Sequence, residues 1–240
     1  PGFGLLSRSR PGTSLGVLAR AVDRFVDHVS RGPVDVVGNS MGGAVSLLVA
    51  ARSPSRVGRA VLVCPALPPP RRAPENPRFL ALFLLAAAPF GHLLFRERAR
   101  RTTPEALVAE TLALCCVDPS RVPREVVAEQ IALARTRPTR PWMDLAFSEA
   151  ARSIAALLAR PAAFYRTMDR ITSPALVVHG ARDRVVDVRA AEALRARCPH
   201  FDLRIMSDVG HVPQLEAPER FLDTVVPWLD GAGRNARITA

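Results

Sequence analysis

Lysine is absent from this chain of 240 residues, and all 33 basic positions are arginine. Against 22 acidic residues this leaves a formal net charge of +11, a balance that by itself would suggest a polyanionic partner. The distribution argues otherwise. Outside Arg96-Glu97-Arg98-Ala99-Arg100-Arg101 the arginines are scattered, and aromatics make up only 5% of the chain, so no basic stripe interleaved with stacking rings exists. Nucleic-acid binding is not expected. The arginine bias, with abundant Ala, Pro and Val, is explained more simply by a GC-rich coding sequence. Cysteine is scarce as well: Cys64, Cys115, Cys116 and Cys198 follow neither metal-ligand spacing nor a disulfide framework. The adjacent pair 115–116 falls in a helical stretch and reads as small apolar packing. Long apolar runs are missing too. The longest, Phe79 to Phe90, contains Pro89 and falls short of the ~20 residues that a membrane-crossing helix needs. With no secretory leader pattern, these absences give the expectation of a cytoplasmic location.

What is present is a set of short apolar, β-branched runs: Val34–Val37, Arg59–Cys64, Ala175–His179 and Leu203–Met206. Most show no polar alternation, as expected of parallel strands covered on both faces. Helical patterns alternate with them. Thr13 or Ser14 can cap a helix whose face is Leu15, Leu18, Val22, Phe25, Val26 and Val29. Further helices are expected at Gly42–Ala51, Val188–Arg197 and Pro218–Leu229. The fold class is thus α/β, with a partial parallel sheet of about four strands flanked by helices.

Three segments carry chemistry. Gly38-Asn39-Ser40-Met41-Gly42 lies between a strand and a helix, the setting of a G-x-S-x-G nucleophile elbow. The glycines flanking the serine are expected to be there because side chains would collide with neighbouring backbone, and the serine itself is expected to be strained. Asp183 follows the glycine-ended strand Pro174–Gly180, with Asp187 and Asp208 as rival acids. His211 stands in Asp208-Val209-Gly210-His211, after the last strand. The order Ser, Asp, His, each just past a strand end, is that of α/β-hydrolases. The other histidines read as structural or surface residues: His179 packed within a strand, His92 among apolar neighbours, His28 and His200 facing solvent. Asn39 reads as a local hydrogen-bonding residue.

On these residues the chain resembles the α/β-hydrolase superfamily, in its capped esterase, lipase and C–C hydrolase branch. Gly210-His211-Val212-Pro213-Gln214-Leu215-Glu216 and Pro218-Glu219-Arg220-Phe221 are similar to the family's His loop and final helix. Pro1-Gly2-Phe3-Gly4 resembles its D-x-P-G-F-G segment. The resemblance implies Ser40 as nucleophile, Asp183 as orienting acid, His211 as general base and the Met41 N–H as oxyanion donor, with no metal and no cofactor. It implies a core of residues 1–66 and 171–240. Residues 67–170, helical at roughly 77–88, 104–116, 123–136 and 144–159, are then an inserted cap. It also implies that the family's first four strands and His-Gly loop would precede Pro1. The expectation is therefore a fragment or truncated gene product that folds poorly and turns over slowly.

The expected reaction is hydrolysis of a small apolar carboxylic ester through an acyl-enzyme. C–C bond hydrolysis is the alternative, although Val212 stands where many such enzymes carry Trp. A truncated, non-catalytic remnant or interaction module is the other. Phe79, Leu80, Leu82, Phe83 and the apolar residues up to Phe95 have three readings: pocket lining, the cap's own core, or a membrane-surface contact helped by Arg96–Arg101.

Overall fold

A computed structural model describes residues 12–68, 76–136, 140 and 142–231. Strands β1 (Val34–Asn39), β2 (Val57–Val63), β3 (Ala175–Gly180) and β4 (Asp202–Met206) lie in that order in one sheet, every neighbouring pair parallel. Parallel neighbours need a crossover, and helices supply it. Helix α1 (Leu15–Val29) leads into β1, α2 (Met41–Arg52) joins β1 to β2, and α9 (Val188–Arg197) joins β3 to β4. After β4 the chain forms the short α10 (Pro213–Glu216) and α11 (Pro218–Leu229).

Alternate side chains of the central strands feed two cores. Ala60, Leu62, Ala175 and Val177 pack with Leu15, Leu18, Leu47, Ala190, Leu194 and Phe201 on the face covered by α1, α2 and α9. Val61, Val63, Leu176 and Val178 pack with Phe221, Val225 and Trp228 of α11 on the other. The result is three layers, helix–sheet–helix. β3 is buried along its whole length, but β1 and β4, which end the sheet among the described residues, are not. Val37 on β1 is 57% exposed and Ile205 on β4 is 44% exposed, so coverage on both faces holds for the centre of the sheet only.

Between β2 and β3 the described residues contain no strand. They form α3 (Pro77–Ala87), α4 (Gly91–Arg101), α5 (Pro104–Cys115), α6 (Arg124–Arg135), α7 (Trp142–Leu158) and α8 (Pro161–Met168). The sequence reading did not assign α4 or α8. Both begin next to residues that read as breakers, Gly91 after Pro89 and Pro161 at the first helical position, where proline is tolerated. Phe164 and Met168 of α8 are buried in the core cluster, with Ile154 and Leu157 of α7 packed against it. This helical segment therefore joins the core through its last two helices, α7 against α1 and α8 against α2. Ser14 caps α1, accepting a bond from the Val17 N–H, whereas Thr13 turns to α7 and donates to the Ala146 carbonyl. Pro1-Gly2-Phe3-Gly4 lies outside the described residues.

The turn from β1 into α2 is tight for identifiable reasons. A Cβ on Gly38 would stand 2.3 Å from the Gly42 carbonyl oxygen and 2.6 Å from Ser46 Oγ. A Cβ on Gly43 would meet Pro65 Cβ at 2.7 Å, where α2 crosses the end of β2. Gly42 differs from the sequence expectation: among the described residues nothing lies within 4 Å of where its Cβ would be. The collisions come one residue later, because the helix has already turned Gly42 outward. Gly38→Ala should therefore lower stability by about 3 kcal/mol, the upper part of the overpacking range, or about 6–12 °C in Tm for a domain of this size. Gly42→Ala should stay within about 1 kcal/mol of the parent, because alanine suits a helix better than glycine. Thermal unfolding followed by circular dichroism compares the two, and equal losses would refute the assignment of the steric limit to Gly38.

Candidate active site

The carboxyl ends of β1, β2, β3 and β4 converge. Ser40 leaves β1 with φ 53° and ψ −114°, a left-handed conformation outside the regions that non-glycine residues favour. Such strain costs about 1–3 kcal/mol and persists only where surroundings enforce it. Here the Ser40 N–H donates to the Val63 carbonyl at 2.9 Å, while the Ser40 carbonyl accepts from Ala44 and Ala66 N–H. The backbone is thus tied on both sides, and the half-buried side chain projects from the first turn of α2 without capping it. The Met41 N–H opens that helix, where backbone donors have no partner within the helix and the dipole favours negative charge.

Asp183 and His211 meet directly. His211 Nδ1 lies 2.7 Å from Asp183 Oδ2, and both side chains are buried. The other carboxylate oxygen accepts the Val185 N–H at 2.7 Å and the Val186 N–H at 3.0 Å. His179 Nε2 stands 3.4 Å from Asp183 Oδ2 and 3.0 Å from the Val186 carbonyl. Burial alone would push the Asp183 carboxyl up. Hydrogen bonds from His179 and His211, with their charges, outweigh it and hold the group well below the usual carboxylate range. The rival acids point elsewhere. Asp187 caps α9 and binds Arg189. Asp208 is half-exposed and paired with Arg121 and Arg220, the Arg220 hydrogen bond being the main reason its carboxyl is lowered.

Asn39 joins the two halves. Its side-chain amide donates to the Val63 carbonyl and to the His211 carbonyl, each at 3.1 Å, so the elbow and the histidine loop share one residue. Ser40 makes no hydrogen bond to His211. Cys64, which follows β2 with φ 41°, had no assigned place here, yet its sulphur, an Asp183 oxygen and a His211 ring nitrogen all lie within 4.8 Å of one another. It is fully buried, and burial together with the Asp183 charge pushes its thiol well above the ordinary range. At neutral pH it stays protonated, unlike a nucleophilic cysteine. Burial likewise raises Cys115 to about 11 and Cys116 to about 12.

Glu216 is the residue whose part sequence reasoning missed; it appeared only as the last letter of the histidine-loop motif. It is buried, with Oε2 accepting the Gly210 N–H and Oε1 accepting the Val117 and Asp118 N–H groups, all at 2.8 Å. The His211 N–H completes this clamp by donating to the Cys115 carbonyl at 2.6 Å. Gly210 is there because a Cβ would stand 2.3 Å from that same carbonyl oxygen. A glutamate two residues before a proline-started helix, at the end of the short α10, was the available signal.

Two outcomes follow from these contacts. Glu216→Ala strands one buried and two half-buried N–H donors, a buried one being worth about 1–3 kcal/mol, so it should cost about 2–3 kcal/mol in urea unfolding; a loss under about 1 kcal/mol would show that water replaces the carboxylate. For Asp183, whose folded pKa is depressed, the stabilisation is fully present above the unfolded value of about 3.9 and is lost as pH falls towards the folded one. The stability gap between the parent and Asp183→Asn should therefore shrink as pH falls below about pH 4. A gap unchanged from pH 5 down to pH 3 would refute the coupling.

Comparison with known proteins identifies the family. A family model described as the alpha/beta hydrolase fold matches residues 1–218. Mouse monoacylglycerol lipase ABHD6 is 24% identical over 219 residues, covering 88% of this chain and 59% of the relative. The chain therefore spans about three-fifths of that protein's length. Pimeloyl-acyl-carrier-protein methyl ester esterase from Aromatoleum aromaticum is 30% identical over 190 residues, covering 77% of this chain and 69% of the relative. The solved meta-cleavage product hydrolase CumD from Pseudomonas fluorescens IP01 superposes with a TM-score of 0.68 at 20% identity, covering 96% of this chain and 77% of that one. With its three-layer parallel sheet, its strained serine after β1 and its buried Asp–His pair, this chain belongs to the alpha/beta hydrolase fold family.

Proposed function

We propose that the protein is a serine hydrolase that cleaves a small apolar carboxylic ester, with Ser40 as nucleophile, His211 as general base and Asp183 as its orienting acid. The observation that carries this reading is the buried 2.7 Å bond between His211 Nδ1 and Asp183 Oδ2. It fixes the imidazole tautomer, leaving Nε2 unprotonated and able to take a proton. Ser40 Oγ attacks the ester carbonyl as His211 removes its proton. The tetrahedral oxyanion draws on the Met41 N–H at the start of α2. His211 then protonates the leaving alcohol, and an acyl-enzyme remains on Ser40. Water, deprotonated by His211, attacks the acyl carbonyl and restores the serine. Asp183 stays ionised throughout and stabilises the imidazolium, as its depressed pKa favours. The chemistry needs no metal or organic cofactor. Residues 67–170 act as a cap that selects the substrate; the bond from the His211 N–H to the Cys115 carbonyl supports this, because it seats the end of α5 on the catalytic loop.

The ester reading is preferred over C–C bond hydrolysis because Val212 follows the histidine. Turnover of a short p-nitrophenyl ester against a meta-cleavage dienone separates the two, and preference for the dienone would replace the substrate class. Ser40→Ala should abolish both ester hydrolysis and fluorophosphonate labelling, a loss on the order of 10⁶ in kcat. Labelling that survives it would remove Ser40 from the role. Asp183→Asn should cost about 10⁴ in kcat through the wrong imidazole tautomer, while Asp208→Asn stays near the parent. The reverse ranking would move the acid to Asp208.

A further inference from the structure

Helices α3 and α4 turn an unusual surface outward. A water-facing helix side normally carries charge, yet Phe79 to Phe90 contains no polar residue at all. Within this stretch and the next turn, Leu82, Leu84, Leu85, Phe90, Leu93 and Leu94 are exposed among the described residues, Phe90 at 72%. The buried side of the pair is already used: α3 and α4 pack on α7 and on each other. Among the described residues the apolar outer side chains are therefore surplus to the packing, and they follow one another on both sides of the corner at Phe90, unlike single exposed leucines elsewhere.

The border of this face is cationic. Arg96, Arg98, Arg100 and Arg101 follow it directly on α4 and all are exposed. Arg98 pairs with Glu110, and Arg101 with Glu97 at 2.7 Å. Arg96 and Arg100 have no ion pair among the described residues. We infer that the α3–α4 corner docks the protein on the surface of a bilayer rich in anionic lipid. The leucines and Phe90 enter the headgroup–acyl boundary, while Arg96 and Arg100 lie at the phosphates. Two competing occupants fit less well. A second copy joined about a two-fold axis would place the same patch against itself, bringing like-charged arginines together. A crossing by a single helix fails on length, since α3 has 11 residues and rises only about 16 Å. The two helices are also bent by 118° at their break, so they do not form one rod.

This goes beyond the hydrolase reading and its test does not depend on turnover. The full chain is sedimented with vesicles of phosphatidylcholine containing 30% phosphatidylglycerol, and with phosphatidylcholine alone, at low and high salt. Binding is expected on the anionic vesicles and should fall with salt. Each arginine at an anionic surface multiplies affinity about fivefold, so the double variant Arg96→Gln/Arg100→Gln should weaken binding roughly 25-fold. The double variant Leu84→Glu/Phe90→Glu should abolish it with Tm unchanged, since both side chains face solvent. Removing the same charge elsewhere, in Arg24→Gln/Arg31→Gln, controls for the bulk +11 and should have an effect under about threefold. Should the leucine–phenylalanine variant unfold, the arginine comparison decides alone. The inference is overturned if the parent does not sediment with anionic vesicles. It is also overturned if the control pair weakens binding as much as Arg96 and Arg100 do. A concentration-dependent dimer that Leu84→Glu/Phe90→Glu dissolves, with no vesicle binding, would assign the face to a second copy instead.

Discussion

One buried negative charge organises the end of this sheet. An isolated carboxylate at the Asp183 position would be costly or would protonate. It stays ionised because two backbone N–H groups take one oxygen while His211, with His179 beside it, holds the other. Each of those partners comes from a different obligation of the fold. Val185 and Val186 belong to the turn after β3, His179 to β3 itself, and His211 to the loop after β4. The charge therefore fastens two neighbouring strands to one turn, and the imidazole orientation is a by-product of satisfying it. A change that uncouples the loop after β4 leaves a charge with too few donors, so site geometry and stability fail together.

Strain at Ser40 originates in backbone crowding. Ser40 holds a left-handed φ because its N–H and carbonyl are both bound, to Val63 on one side and to Ala44 and Ala66 on the other. Cys64 is left-handed next door, where β2 ends under the same crowding. Two non-glycine residues with positive φ at adjacent strand ends indicate that the sheet's rim, rather than the serine alone, is compressed. Gly38, Gly43, Gly180 and Gly210 are the sites where that compression leaves no space for a side chain.

Much of this was legible in the residues. Helices α9 and α11 begin and end where caps and proline place them, because Asp187 and the Ala217–Pro218 step are local signals. The four strands were legible from β-branched runs, and the Ser–Asp–His order followed from their ends. Less legible were contacts that only folding creates. Glu216 satisfies donors from Val117 and Asp118, far away in sequence, so no local pattern announces it. Cys64 reads as a strand-end residue until β3 brings Asp183 beside it. The choice between Gly42 and Gly43 as the crowded glycine depends on where Pro65 falls against α2, a packing detail with no periodic signature. α4 was missed because an arginine-rich stretch after Pro89 and Gly91 resembles a loop by composition, although Phe95 within it packs against Phe147 of α7.

The Glu216 clamp also sets a limit on how this architecture can be recombined. The carboxylate is matched to consecutive amides at 117 and 118, and the His211 amide to the carbonyl at 115. A graft that exchanges the helices before residue 114 for those of another hydrolase leaves the contacts of the His211 loop intact. One that cuts between 115 and 118 deletes the partners of both Glu216 and His211. The helices that precede residue 115 and the loop that carries His211 thus meet at a four-residue seam, and chimeras that keep Cys115–Asp118 with the recipient's own loop are the ones that keep these matched contacts.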